Sequence, residues 1–244
     1  MSSQQHSRFP SRIFMILALL FFAAFIILIS SLHGTFSHSS QNVTSLNTNT
    51  ATTATAPATP STDPLITPAS PVGAPPVAQN DPQLGPHDAP VTIIEFSDFD
   101  CPYCKDVQAV LQQVIDVYGK KVRIVWKDFP LVELHPNTLP AHIAARCAQI
   151  QNAFFPYKNE LYTNQDARAL SDFSHMAKTV GLDMTQFTQC INAPDKQIAI
   201  IENTLKEGLR YGVDSTPYFF INDRELVGAP SFDTMKKMID AELR

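Results

Sequence analysis

A chain of 244 residues with a net charge of −5 has no overall basic excess with which to hold nucleic acid. Its hydrophobic content of 44% suits a globular protein of one or two domains, but the apolar residues are unevenly spread. All four cysteines lie after residue 100, and an even number is compatible with disulfides made in an oxidising compartment.

In chain order, the short N-terminus 1–12 carries Arg8 and Arg12 and leads into Ile13–Leu32, which has no charged residue. A helix of that length spans about 30 Å, the hydrocarbon thickness of a bilayer. No Lys or Arg follows until Lys105, so the positive-inside rule keeps 1–12 in the cytoplasm and sends the rest across. We therefore expect a single transmembrane anchor over 13–32. A cleaved signal peptide is the alternative, although its apolar region is usually shorter and the flank offers no A-x-A site. Residues 33–80 are rich in Ser, Thr, Ala, Asn and Pro, which predicts a disordered linker. As a flexible coil it would reach roughly 35–40 Å.

From residue 81 to 244 the patterns are those of a packed domain. VTIIEFSDF (91–99) predicts a buried strand, DVQAVLQQVIDVYG (106–119) a helix with an apolar stripe from Val107 to Val117, and KVRIVWKDF (121–129) a second strand. Strand, helix and strand make a parallel pair with a crossover. Five helical segments follow over about 137–212. Then PYFFIN and ELVG form a hairpin around Asn222 and Asp223, and a last helix opens at Ser231.

Cys101-Pro102-Tyr103-Cys104 falls between the first strand and the first helix. Pro102 suits the first helical position, because it has no N–H to leave unpaired. Cys101 is then the N-cap, where free N–H groups and the positive end of the helix dipole stabilise a thiolate. That thiolate is both nucleophile and good leaving group in disulfide exchange. Cys104, one turn in, is expected to be less exposed.

IIEFSDFDCPYC, KDFPL (127–131), the helical segment and STPYFFINDRELVGAPSFDTMKKMID (215–240) together resemble the DsbA-like family of thiol–disulfide oxidoreductases. The resemblance covers essentially all of 81–244. It implies an α/β thioredoxin fold with an inserted helical subdomain and no cofactor or metal. It further implies that Cys101 attacks, Cys104 resolves, and Pro217 is a cis-proline facing them. The backbone of Thr216 would pair with an extended substrate segment, beside Pro102 and Tyr103. Glu95 would be the buried acid that exchanges a proton with Cys104. Expected partners are cysteine-containing proteins and a membrane redox partner, either a quinone-linked oxidase or a thiol reductase.

Two features differ from the best-known enterobacterial oxidase, which has His where this chain has Tyr103. Here Asp98 and Asp100 also adjoin Cys101, and negative charge disfavours a thiolate. Both features predict a less oxidising pair. Thr216 is shared with relatives that isomerise or reduce disulfides.

Cys147 lies on an apolar stripe with Ile143, Ile150 and Phe154, and Cys190 follows Phe187 by three. In an oxidising compartment a structural disulfide between them is expected, with two buried free thiols as the alternative. A Cys₄ zinc site would need closer spacing in this second pair. His135 and His142 are expected to be capping or surface residues, and Trp126 a core residue. The domain is thus expected in the periplasm or extracytoplasmic space, catalysing disulfide formation or exchange. The rivals are a reductase or isomerase kept reduced by a membrane donor, and a non-catalytic module binding unfolded chains or copper.

Overall fold

The computed structural model describes residues 73–244; the expected anchor over 13–32 and the linker up to residue 72 lie outside the described residues. Five strands form one sheet: β1 (Gln83–Leu84), β2 (Val91–Ser97), β3 (Val122–Asp128), β4 (Tyr218–Ile221) and β5 (Arg224–Val227). Their order is β1-β3-β2-β4-β5, with β2 and β3 parallel and the other pairs antiparallel.

Helix α1 (Pro102–Tyr118) makes the crossover between the parallel strands. Five helices are inserted between β3 and β4: α2 (Thr138–Gln149), α3 (Phe154–Thr163), α4 (Leu170–Thr179), α5 (Met184–Asn192) and α6 (Asp195–Arg210). Helix α7 (Phe232–Glu242) closes the domain, its N-cap Ser231 accepting a hydrogen bond from the Thr234 N–H.

Strand alternation explains why β2 lies at the centre. Val91 and Ile93 pack against Val107 and Leu111 of α1 and Met235 and Ile239 of α7. Ile94 and Phe96 point to the opposite face, against Phe129, Val213 and Phe220. There α6 approaches closely at Gly208, where an added Cβ would lie 2.8 Å from the Phe129 ring. The insertion has its own core of Cys147, Phe154, Tyr157, Leu161, Phe173 and Phe187, and it merges with Phe99, Cys104 and Trp126 beneath the turn that joins β2 to α1.

Three local readings change. Residues 73–80, assigned by composition to the linker, pack on the domain: Ala74 and Val77 cover the Phe96 face, and the carbonyls of Pro76 and Asn80 accept from Lys127 and Arg146. These anchors lie far along the chain, so local composition carries no trace of them. β1 is too short to show a period. Val117 and Ile150 sit at the ends of their helices' stripes and are 60% and 59% exposed.

Candidate active site

The turn Asp98–Cys101 joins β2 to α1 and delivers both thiols to the edge of the sheet. Cys101 is the N-cap in extended backbone (φ −74°, ψ 122°), with Pro102 just inside the helix. Its N–H donates to the Asp98 carbonyl at 3.3 Å. Cys101 and Cys104 are free thiols, 4% and 0% exposed, while Tyr103 between them is 63% exposed.

The two sulfurs are pushed in opposite directions. The Cys101 thiol is pulled down to about 6, first by its hydrogen bond with Cys104. Burial opposes this, while Thr216 and the backbone of Cys104 and Tyr103 add to it. The Cys104 thiol is pushed well above its ordinary value, chiefly by burial and then by Cys101 beside it. One sulfur is therefore a thiolate at neutral pH and the other holds its proton.

Facing them, the Thr216–Pro217 peptide bond is cis. When protonated, the Cys101 thiol donates to the Thr216 carbonyl at 3.4 Å. Glu95 lies under this site on β2, fully buried between Trp126 of β3 and Phe219 of β4. Its Oε1 accepts from Gln108 Nε2 at 3.0 Å, and its Oε2 has no hydrogen-bond partner.

The sequence profile of the thioredoxin family matches residues 78–241. The chain belongs to the thioredoxin family. A thioredoxin-like oxidoreductase from Silicibacter pomeroyi DSS-3 is 26% identical, over 67% of this chain and 92% of that one, with a TM-score of 0.60. BdbD from Bacillus subtilis, in its oxidised form, is 20% identical over 70% and 97% of the two chains, with a TM-score of 0.62. These structures share the α/β thioredoxin fold of this domain. A curated relative, Na(+)/H(+) antiporter NhaA 1 of Mycobacterium sp. (strain KMS), is 32% identical over 168 residues, which are 67% of this chain and 27% of the relative. The chain thus spans about a quarter of the length of that relative. Among the described residues no helix is long and apolar enough to cross a membrane.

The thioredoxin domain disposes of the two acids beside Cys101 in a way the sequence did not indicate. Asp100 pairs with Arg168, Nε to Oδ1 at 2.5 Å. Asp98 accepts from the Thr138 hydroxyl, from the Leu131 N–H at 2.7 Å and from the Asp100 N–H at 2.9 Å, and its Oδ2 lies 3.0 Å from His135 Nδ1. Burial raises the Asp98 carboxyl, but His142, Thr138 and His135 outweigh it and hold the group well below the usual range. Both negative charges are thus partnered, and neither prevents Cys101 from ionising.

His142 is a correction as well. It is fully buried, with Nδ1 2.7 Å from Asp128 Oδ1 and Nε2 3.9 Å from Asp98 Oδ1. Burial pushes it towards the neutral form, but the two aspartates prevail and raise its pKa. His135 is partly buried against Asp98. Arg146 completes the cluster, its Nε 2.5 Å from Asp128 Oδ2. The insertion also grips the turn Asp98–Cys101 from the other side. Gln165 Nε2 donates to the carbonyls of Phe99 and Cys101, both at 3.0 Å, and Arg168 donates to Phe99 at 3.0 Å.

Gln108, His142, Arg146 and Lys158 share a signal legible in sequence. Each is a polar residue set at helical spacing within a buried stripe. Lys158, for example, lies among Phe154, Tyr157, Leu161 and Tyr162.

Proposed function

We propose that the chain is a thiol–disulfide oxidoreductase that makes or exchanges disulfides in cysteine-containing proteins outside the cytoplasmic membrane. The observation that carries this reading is the opposed displacement of Cys101 and Cys104 within one helical turn, facing Thr216 and Pro217.

In the oxidising direction, a substrate thiolate attacks Cys101 Sγ of the Cys101–Cys104 disulfide. The S–S bond breaks, and the electron pair leaves on Cys104, which takes up a proton. A second substrate thiolate then attacks the substrate's own sulfur in the mixed disulfide and releases Cys101 as a thiolate. The substrate is oxidised by two electrons and the enzyme is reduced by two. In this reading Glu95 supplies or accepts the Cys104 proton, while the backbone of Thr216 meets an extended substrate segment and Pro102 and Tyr103 border it.

A pKa near 6 lies between that of a strong oxidant such as DsbA, about 3.5, and that of thioredoxin, about 7. Stabilising the thiolate stabilises the reduced enzyme, which favours donation of the disulfide. The Cys147–Cys190 disulfide favours an oxidising compartment, and the apolar run 13–32 favours an anchor in its membrane. There a membrane oxidase would recycle the reduced pair.

Equilibration of the full chain with glutathione tests the direction. A potential clearly above thioredoxin's, which is about −270 mV, supports a disulfide donor. A potential at or below that value assigns the pair to a reductase or isomerase. A pair that does not exchange with glutathione sinks the enzymatic reading and leaves a binding module.

A further inference from the structure

Lys158 is a buried cation that the mechanism above does not use. It is 5% exposed on α3, and its Nζ lies 5.8 Å from the Trp126 ring centroid, 5.7 Å from Phe155 and 5.9 Å from Tyr162. Three ring faces favour the charged form. Burial works the other way and lowers the Lys158 pKa, with Glu95 opposing that shift. A lysine in such a place needs a carboxylate within reach of its field, and Glu95 is that carboxylate.

Gln108 connects the two. Its Nε2 donates to Glu95 Oε1 at 3.0 Å and to the Cys104 carbonyl at 2.7 Å, while its Oε1 accepts from Lys158 Nζ. This amide orientation is fixed by chemistry, because the flipped form would aim an oxygen at two acceptors and an NH₂ at a cation. Gln108 is four residues beyond Cys104 on α1, so the same helical turn positions the resolving cysteine and the clamp on Glu95. A cavity of about 60 Å³, lined by Gln108, Lys158, Leu111, Ile124 and Phe155, opens beside the ammonium group. Room of that size admits water, so a proton can reach solvent from this side.

The side chains that act on Glu95 are Gln108 from α1, which donates to it, Tyr162 and Lys158 from α3, and Trp126 and Phe219 from the flanking strands; Cys104 acts on the same Tyr162. Cys101 lies beyond Cys104, and the Asp98 carboxylate is engaged by His135, His142 and Thr138. Among the described residues that act on Glu95, Lys158 is the one that brings positive charge.

We propose that Lys158 is the counter-charge to the Glu95 carboxylate that takes the Cys104 proton, with Gln108 as the positioning residue between them. The inference rests on the oxidoreductase reading. In the reaction of reduced enzyme with glutathione disulfide, Cys101 first forms a mixed disulfide and releases one glutathione thiolate. The Cys104 proton then passes to Glu95, and Cys104 Sγ attacks Cys101 Sγ. The Cys101–Cys104 bond forms and a second glutathione thiolate leaves. The insertion thereby sets the pH range of a step that takes place in the thioredoxin core.

The experiment is rapid-quench measurement of that second step from pH 5 to 9 in the full chain, with Lys158→Met, Lys158→Arg, Gln108→Leu and Glu95→Gln beside it. Removing a nearby cation disfavours a carboxylate. Lys158→Met should therefore move the acid-side break of the rate profile up by about one pH unit, slowing resolution about tenfold at acid pH. The rate should return to the wild-type value at high pH. Lys158→Arg should restore the profile, and Gln108→Leu should move it part of the way while keeping the lysine. Glu95→Gln should abolish the break.

A Lys158→Met or Gln108→Leu protein that is folded and keeps the wild-type profile overturns the proposal. Should Lys158→Met fail to fold, Gln108→Leu decides alone. A wild-type chain that never forms the mixed disulfide would instead overturn the oxidoreductase reading, so the two failures are distinguishable.

Discussion

The two cysteine pairs sit at opposite ends of helices, and that difference separates a reactive pair from an inert one. Cys101 caps the N-terminus of α1, where unpaired N–H groups and the dipole favour negative charge. Cys147 and Cys190 lie in the last turns of α2 and α5, where the dipole has the opposite sign and a thiolate is disfavoured. Their disulfide joins residues 43 apart with a Cα–Cα distance of 5.7 Å, whereas Cys101 and Cys104 are three apart in one turn. Closing a long loop restricts the unfolded chain, while closing a single turn restricts it little. The second pair is built to stay oxidised, and under the proposed function the first one cycles.

The largest test of this contrast exchanges the losses. Cys101→Ser should reduce thiol exchange to background while leaving the unfolding midpoint of the domain nearly unchanged. Cys147→Ala with Cys190→Ala should do the reverse. For a loop of 43 residues the loss is about 4 kcal/mol of stability, seen in urea unfolding, with the exchange rate of the folded protein within about twofold of wild type. If the double variant loses exchange at a temperature where it remains folded, the pairs are not independent and the contrast fails.

A smaller loss is expected at the junction between the insertion and the turn Asp98–Cys101. His142→Leu leaves the Asp98 and Asp128 carboxylates buried with one partner fewer, a change that typically costs about 3 kcal/mol. Its pH dependence distinguishes it from a packing defect. The raised His142 pKa contributes stability that is fully present below the unfolded value of 6.5 and is lost as pH rises through the higher folded value. The gap between wild type and variant, measured by chemical denaturation, should therefore narrow from pH 6 to pH 9. A gap that is flat across this range would assign His142 a purely steric role.

These residues also show what could be read without the fold. The N-cap cysteine, the proline after it, the parallel strand pair and the run of five helices follow from local spacing, because each depends on neighbours within a turn or two. Residues 73–80 looked like linker because their anchors, Lys127 and Arg146, lie 51 and 66 positions away along the chain. His142 lies in an apolar stripe whose spacing marks it as buried, but nothing local marks the two aspartates on either side of it. Asp98 and Asp100 looked harmful to the thiolate for the same reason, since Arg168 and the histidines that engage them come from the loop after β3 and the insertion. What was hidden was the partner, and a buried charge has little meaning without one.

The smallest effect bears most directly on how Cys101 is activated. Alkylation by iodoacetamide should be half-maximal near pH 6 and fall about tenfold per unit below it, since the thiolate is the reacting form. By linkage, a thiol depressed from 9 to about 6 stabilises the reduced protein above those values, and this contribution is lost as pH falls through 6. Relative to a thiol of ordinary pKa such as glutathione, the disulfide should therefore become harder to reduce in acid. Helix end and neighbouring charge both act on this thiol, and Arg168 separates them. Arg168→Ala leaves the helix untouched but exposes Cys101 to an unpaired Asp100, so the alkylation midpoint should rise by about half a unit, as expected for one like charge near the surface. Adding Asp100→Asn to that variant should return the midpoint to about 6. If Arg168→Ala moves nothing, the ion pair holds the turn without tuning the sulfur, and the helix terminus with the Cys104 hydrogen bond accounts for the whole depression.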